Sequence, residues 1–313
     1  MMSGKIYYYL KPFLPRKAQI MLRRRFVMWK QKIYKSVWPI DEKAGNSPEN
    51  WIGWPEKRRF CLVLTHDVDT ALGQERCYEL MRIEKHLGFR SSFNFVAERY
   101  RVLPELRRDL VSNGFEVGVH GLYHDGKLYS SKKIFQKRAL KINHYLQEWQ
   151  AVGFRSPSMH HNLDWMHDLN IEYDASTFDT DPFEPQPDGI GTIFPFWVSG
   201  DSEKKGYVEL PYTLPQDFTL FVLMKERTID IWKKKLDWIV ACGGMALLNT
   251  HPDYMDFRGK ELGMEEYPAQ YYEAFLNYIK EMYSGEFWHV LPKDMARFWA
   301  SHFSNHGARS AFS

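Results

Sequence analysis

Phe60-Cys61-Leu62-Val63-Leu64-Thr65-His66-Asp67-Val68-Asp69 is an apolar run that ends in two carboxylates. Residues 60–65 have the length and continuous hydrophobicity of a strand buried on both faces. If the strand continues, its period-two alternation puts Asp67 and Asp69 on one side. Outward from here the same rhythm repeats. Residues 75–87 are predicted helical, 92–96 a strand, 104–113 a helix and 115–119 a strand. A helix over 132–149, a strand over 152–154, a helix over 164–169 and a strand over 171–173 follow. After them come a helix over 228–241, a strand over 245–249, a helix over 269–282, a strand over 287–290 and a helix over 292–301. Strands alternating with helices imply a mostly parallel sheet. Six or seven such units, with reactive residues at strand ends, predict an α/β fold closed or nearly closed into a (β/α) barrel. Residues 178–219, rich in Pro, Asp and Gly, break the rhythm and are predicted as loops and a small hairpin over the barrel mouth.

Length and composition fit that reading. The chain has 313 residues, 44% hydrophobic and 26% charged, and α/β barrels of this size form one domain. Its 16% aromatic content, with 11 Trp and 18 Tyr, suits a filled core or sugar-stacking platforms. Three scattered cysteines, Cys61, Cys77 and Cys242, argue against a disulfide framework and for a reducing compartment. No apolar stretch of signal-peptide type follows the basic N-terminus, and no window approaches 18 consecutive apolar residues. A cytoplasmic location is expected. The ten basic residues before Asp41 meet no acidic one there and are interleaved with Tyr, Phe, Leu, Met and Trp. Residues 1–45 are therefore read as a basic amphipathic helical leader, 46–55 as a linker and 58–303 as the barrel. The leader, through residues 1–40, suits peripheral association with an anionic membrane at its inner face, or a helix packed on the barrel with its basic face in water. Nucleic acid is not an expected partner, because nothing downstream resembles a nucleic-acid module.

In such barrels the active site gathers at the C-terminal ends of the strands. Asp67, His120, Arg155, Asp174 and His251 all fall near such an end. His120 and His124 are separated by three residues, in a turn or first helical turn that can aim both imidazoles at one point. Two histidines and a carboxylate, with one position left for water, match catalytic zinc. A second carboxylate then takes the water's proton, and a separate acid protonates the leaving amine. His251 is the candidate acid. Arg155, placed beside the base carboxylate, would keep it ionised. The residues alone leave open which of Asp67 and Asp69 is ligand and which is base. His66 is an additional imidazole that could support the site from behind, and His160 and His161 are possible rim residues.

Taken in order, Thr65-His66-Asp67-Val68-Asp69, His120-Gly121-Leu122-Tyr123-His124, Arg155-Ser156-Pro157 and Leu248-Asn249-Thr250-His251 resemble the motifs of the polysaccharide deacetylase family. That family is also called carbohydrate esterase family 4, or the NodB-homology domain. The resemblance spans roughly residues 58–295 and implies a distorted (β/α) barrel. It also implies a divalent metal, often zinc, that helps remove acetyl groups from sugars. It assigns Asp67 as base, Asp69, His120 and His124 as metal ligands, Arg155 as the residue steadying the base, and His251 as acid. The family's fourth motif supplies an acid that orients the catalytic histidine. Asp174 fits by position, with Asp179 and Asp181 as alternatives. This chain departs from the pattern by inserting one residue between the two acids and by placing Gly at 121. The expected substrate is an N-acetylated carbohydrate, such as a lipid-linked intermediate of surface-polysaccharide biosynthesis. A same-fold amidohydrolase acting on a small cyclic amide or ureide is one alternative. A non-catalytic glycan-binding protein is another, and a membrane scaffold with a vestigial barrel is a third.

Overall fold

The computed structural model describes residues 15–202, 204–259 and 261–303. Leader residues 1–14 lie outside the described residues. At the centre is β1 (Phe60–Val68), buried at all nine positions. It is longer than the apolar run suggested and carries His66 and Asp67 within the strand. β2 (Ser92–Phe95), β3 (Glu116–Val119), β4 (Gly153–Phe154) and β5 (Tyr173–Asp174) follow in parallel on one side of β1. β6 (Phe196–Val198) pairs antiparallel with β7 (Tyr207–Glu209), and β7 lies parallel to β5. On the other side of β1 lies β8 (Met245–Thr250), paired with it along residues 61–66. Leu214, just after β7, bridges Leu248. This link carries the sheet back to β8 and curls it into a distorted (β/α) barrel. β9 (Met255–Asp256) and β10 (Tyr267–Pro268) form a separate pair, and β11 (Phe287–His289) pairs with the start of β1.

Eight helices lie among the described residues: α1 (Arg16–Ile33), α2 (Ala71–Leu87), α3 (Pro104–Ser112), α4 (Lys132–Trp149), α5 (Leu163–Met166), α6 (Asp230–Cys242), α7 (Gln270–Tyr283) and α8 (Pro292–Phe303). The Thr70 hydroxyl caps α2 by accepting from the Gly73 N–H, which satisfies one otherwise unpaired helix donor. The predicted β/α rhythm is therefore present, with one correction. The β6/β7 hairpin is not a cover over the mouth. β7 is a buried strand of the barrel itself, and the same stretch leads into a π-helix at Phe218–Met224.

α1 is docked on that π-helix. Ile20 and Val27 are buried beneath it, and Arg24 Nε donates to the Val222 carbonyl at 3.0 Å. The predicted linker also packs: Trp54 is buried and its Nε1 donates to the Gly243 carbonyl at 2.8 Å, at the opposite end of the barrel.

Candidate active site

Alternation along β1 separates two neighbouring residues by function. Asp67 points into the barrel, where Asn94 Nδ2 on β2 donates to its Oδ1 at 3.0 Å and Asn249 Nδ2 on β8 donates to its Oδ2 at 2.8 Å. Arg155, following β4, is buried with its Nε 3.4 Å from Asp67 Oδ1 and its Nη2 donating to the Thr65 hydroxyl at 2.9 Å. Burial opposes ionisation of Asp67. The charges of His120, Arg155 and His251, with the Asn94 hydrogen bond, outweigh it and hold the carboxyl below its ordinary pKa.

His66 points the other way, into the layer under α2 and α7. Its Nδ1 lies 2.7 Å from the Thr250 hydroxyl and its Nε2 2.9 Å from Glu84 Oε1. Glu84 also accepts from Ser91 and Tyr272. The expectation that His66 backs the site is therefore corrected: strand alternation puts it on the opposite face.

Asp69, His120 and His124 converge. One possible ligand atom from each lies within 4.8 Å of the others. His120 Nδ1 sits 3.0 Å from the Arg155 carbonyl; donating there, it turns Nε2 towards Asp69 Oδ1 at 3.4 Å. His124 Nε2 lies 3.2 Å from the same oxygen. That Oδ1 is buried and accepts no hydrogen bond. An orphaned carboxylate oxygen facing two imidazole nitrogens fits a divalent cation, and the donor set is the one zinc takes. Burial, His120 and Arg99 push the His124 pKa below its ordinary value although Asp69 opposes them, which leaves the ring neutral and able to ligate.

Two glycines make this geometry feasible. Gly121 has φ +65°, and a Cβ there would meet Pro157 Cγ at 2.7 Å. The position that departs from the resembled motif is thus constrained by the neighbouring Arg-Ser-Pro loop. At Gly73 a Cβ would fall 2.2 Å from Asp253 Oδ2. Asp253 uses this space to accept the Asp69 backbone N–H at 2.9 Å and the Thr70 hydroxyl at 2.5 Å, fixing the loop that carries the ligand.

His251 follows β8. Its Nδ1 lies 2.7 Å from Asp217 Oδ1, and its backbone N–H donates to Asp217 Oδ2 at 2.8 Å. Tyr267 OH donates to the same carboxylate at 3.0 Å. Burial would depress the His251 pKa, but Asp217, Asp69 and Asp67 together carry it up to about 10. The acid that orients His251 is therefore Asp217, not Asp174, Asp179 or Asp181. Asp174 is buried at the end of β5, where its Oδ1 accepts from Ser176. Asp174 Oδ2 and Glu209 Oε2 are both buried without another partner at these paired strand ends, and burial raises both pKa values. Asp179 forms a buried ion pair with Lys235. Asp181 accepts from the Tyr212 hydroxyl at 2.9 Å and from the Phe183 backbone N–H. Among the predicted rim residues, His160 helps line a cleft beside His124 with Leu122, Tyr129 and Pro157, and His161 lies 3.5 Å from Asp188.

Sequence reasoning missed Asp217, Asp253, Asn94 and Asn249. Asp217 was hidden in a stretch predicted as loop. An Asp immediately before the apolar run Phe218-Thr219-Leu220-Phe221 was the available signal.

No protein-family model matches this chain, and no curated protein matches it. Solved structures do. A structure described as a polysaccharide deacetylase from Mycobacterium smegmatis superposes with a TM-score of 0.63 at 17% identity, over 84% of this chain and 98% of that one. Puue allantoinase gives a TM-score of 0.59 at 17% identity, over 87% and 99%. A structure described as a polysaccharide deacetylase from Pseudomonas aeruginosa PAO1 gives 0.58 at 17% identity, over 82% and 95%. The chain therefore has the polysaccharide-deacetylase fold, which the allantoinase shares.

Proposed function

We propose that this protein is a metal-dependent hydrolase that removes the acetyl group from an N-acetylated sugar. The observation that carries the reading is the convergence of Asp69, His120 and His124 beside Asp67 and His251. Asp69, His120 and His124 would hold a divalent cation such as zinc, which would supply Lewis acidity towards the acetyl carbonyl and acidify a water. Asp67 takes the proton of the attacking water, aligned for this by Asn94, Asn249 and Arg155. His251, charged at neutral pH, gives its Nε2 proton to the leaving amine while Asp217 holds its Nδ1–H and orients the ring. Asp174 contributes from behind the site by stiffening the β5 and β7 ends. Acetate release from N-acetylglucosamine oligomers tests the reading. His120→Ala and Asp67→Asn should each abolish it, and full activity in either variant would sink the mechanism.

The allantoinase-like fold favours one second reading, a cyclic ureide as substrate. Allantoin turnover without acetate release from any N-acetylated glycan would select it.

We also propose that the enzyme works at the inner face of a membrane, on a lipid-linked glycan of surface-polysaccharide assembly. The outward side of α1 exposes Met21, Leu22, Phe26, Met28, Trp29 and Ile33. Arg25 and Lys32 are exposed among them, and no acidic residue occurs before Asp41. Such a face suits an anionic bilayer surface and would repel a second copy of itself. Among the described residues no helix is long and apolar enough to cross a membrane, so association would be peripheral. The three free cysteines fit a reducing compartment. Co-sedimentation with phosphatidylserine vesicles, but not phosphatidylcholine vesicles, is expected, and the Leu22→Asp/Trp29→Asp variant should lose it.

A further inference from the structure

The inner side of α1 brings cations to the barrel mouth, and most are matched. Arg16 pairs with Glu265, Arg24 donates to the Val222 and Met264 carbonyls, and Lys30 donates to the Pro182 carbonyl. Arg23 is different. Its guanidinium stacks on Phe218 at 4.7 Å from the ring centroid. Among the described residues it makes no hydrogen bond and no salt bridge. Phe218 lies 4.8 Å from Tyr254, and Tyr254 lies 5.3 Å from His251, centroid to centroid. Three ring contacts thus connect a free guanidinium to the candidate acid.

Arg23 acts electrostatically on the Glu184 carboxyl. Glu184 already accepts from Tyr212 and Gln216 at 2.9 and 2.7 Å. Burial and the neighbouring Asp181 push its pKa up to about 8, against the opposing pull of Tyr212 and Arg23. Beyond the metal-binding trio stands Arg99, exposed beside His124 and likewise without a hydrogen bond or salt bridge among the described residues. A guanidinium held over an aromatic ring keeps its N–H donors available, and a guanidinium can grip a carboxylate or phosphate with two hydrogen bonds.

We propose that Arg23 forms an anion subsite of this enzyme. The substrate then carries a phosphate or carboxylate next to the acetylated sugar, and the N-terminal helix selects it. The proposal rests on the deacetylase reading for its link to turnover, but not for binding.

The full-length chain tests it with three substrates: a neutral N-acetylglucosamine oligomer, N-acetylglucosamine 1-phosphate, and an oligomer alternating N-acetylglucosamine with glucuronate. In Arg23→Ala the ratio of kcat/KM on the preferred anionic substrate to that on the neutral one should fall about 10- to 100-fold. The fall should lie mainly in KM, with partial recovery in Arg23→Lys. Whichever anionic substrate suffers the loss identifies phosphate or carboxylate as the group bound. An unchanged ratio would overturn the proposal. Calorimetric titration with N-acetylglucosamine 1-phosphate and with the glucuronate oligomer separates the two readings. Binding lost in Arg23→Ala, in a protein that releases no acetate, would keep the subsite and sink the deacetylase. Equal binding of both ligands by wild type and variant would sink the subsite itself.

Discussion

His66 and His251 are both buried imidazoles bonded to a buried carboxylate, at 2.9 Å from Glu84 and 2.7 Å from Asp217. They differ in what their second nitrogen meets. His66 spends its other nitrogen on the Thr250 hydroxyl, and its carboxylate is further held by Ser91 and Tyr272. The His251 ring makes no second hydrogen bond among the described residues, and the carboxylates of Asp67 and Asp69 act on its charge. A closed network gives rigidity, whereas a half-closed one keeps a proton available for transfer. One step of strand alternation, between His66 and Asp67, separates the structural layer from the chemical one.

That contrast can be broken in order of expected effect. His251→Ala should lower kcat for acetate release about 100- to 10,000-fold, with the buried Asp217 carboxylate still held by the Tyr267 hydroxyl and the His251 and Phe218 backbone N–H groups. His66→Ala should act on stability rather than on kcat. It strands Glu84 without its partner and should cost about 3–5 kcal/mol of unfolding free energy, with kcat of the folded protein kept. A large kcat loss in His66→Ala would erase the distinction.

The pH dependence sharpens it. Burial opposes the Glu84 charge, but His66 and the hydrogen bonds from Ser91 and Tyr272 hold its pKa below the ordinary 4.5. A depressed carboxyl stabilises the fold above the unfolded value and loses that stabilisation as pH falls through the folded one. Wild type should therefore weaken in acid more steeply than His66→Ala, as urea midpoints across pH 3–6 would report. For His251, pushed up to about 10, the sign is opposite. The acid form is present at neutral pH and is lost as pH rises through that value. Asp217→Asn should move the alkaline limb of the rate profile down towards the ordinary histidine value of about 6.5. An unmoved limb would remove Asp217 from the account. The smallest effect is expected at Gly73→Ala, where the added methyl meets Asp253. It should cost about 1–3 kcal/mol of stability and weaken metal binding by loosening the Asp69 loop.

The strand-end part of the candidate site was legible because barrel strands are short apolar runs and their next residues face the mouth. Asp67, Asp69, His120, His124, Arg155 and His251 could all be placed in this way. Asp217 could not, because it precedes a π-helix whose apolar run carries neither a strand's alternation nor a simple α-helical face. Asp174 satisfied the positional rule yet failed geometrically, since β5 ends where its carboxyl meets Glu209 rather than His251. Asn94 and Asn249 escaped notice because neutral amides look like ordinary strand residues until their partner across the sheet is known. The predicted hairpin over the mouth went wrong for a similar reason. Local Pro and Gly content marked the loops around β7 but not the parallel pairing that draws it into the barrel.

The central claim is that Asp69, His120 and His124 hold a metal on which sugar deacetylation depends. Its most direct test is acetate release by the chelator-treated protein, followed by titration with zinc. The account predicts activity lost on chelation and restored near one equivalent of metal, with no restoration in His120→Ala. Undiminished acetate release after complete metal removal would contradict it.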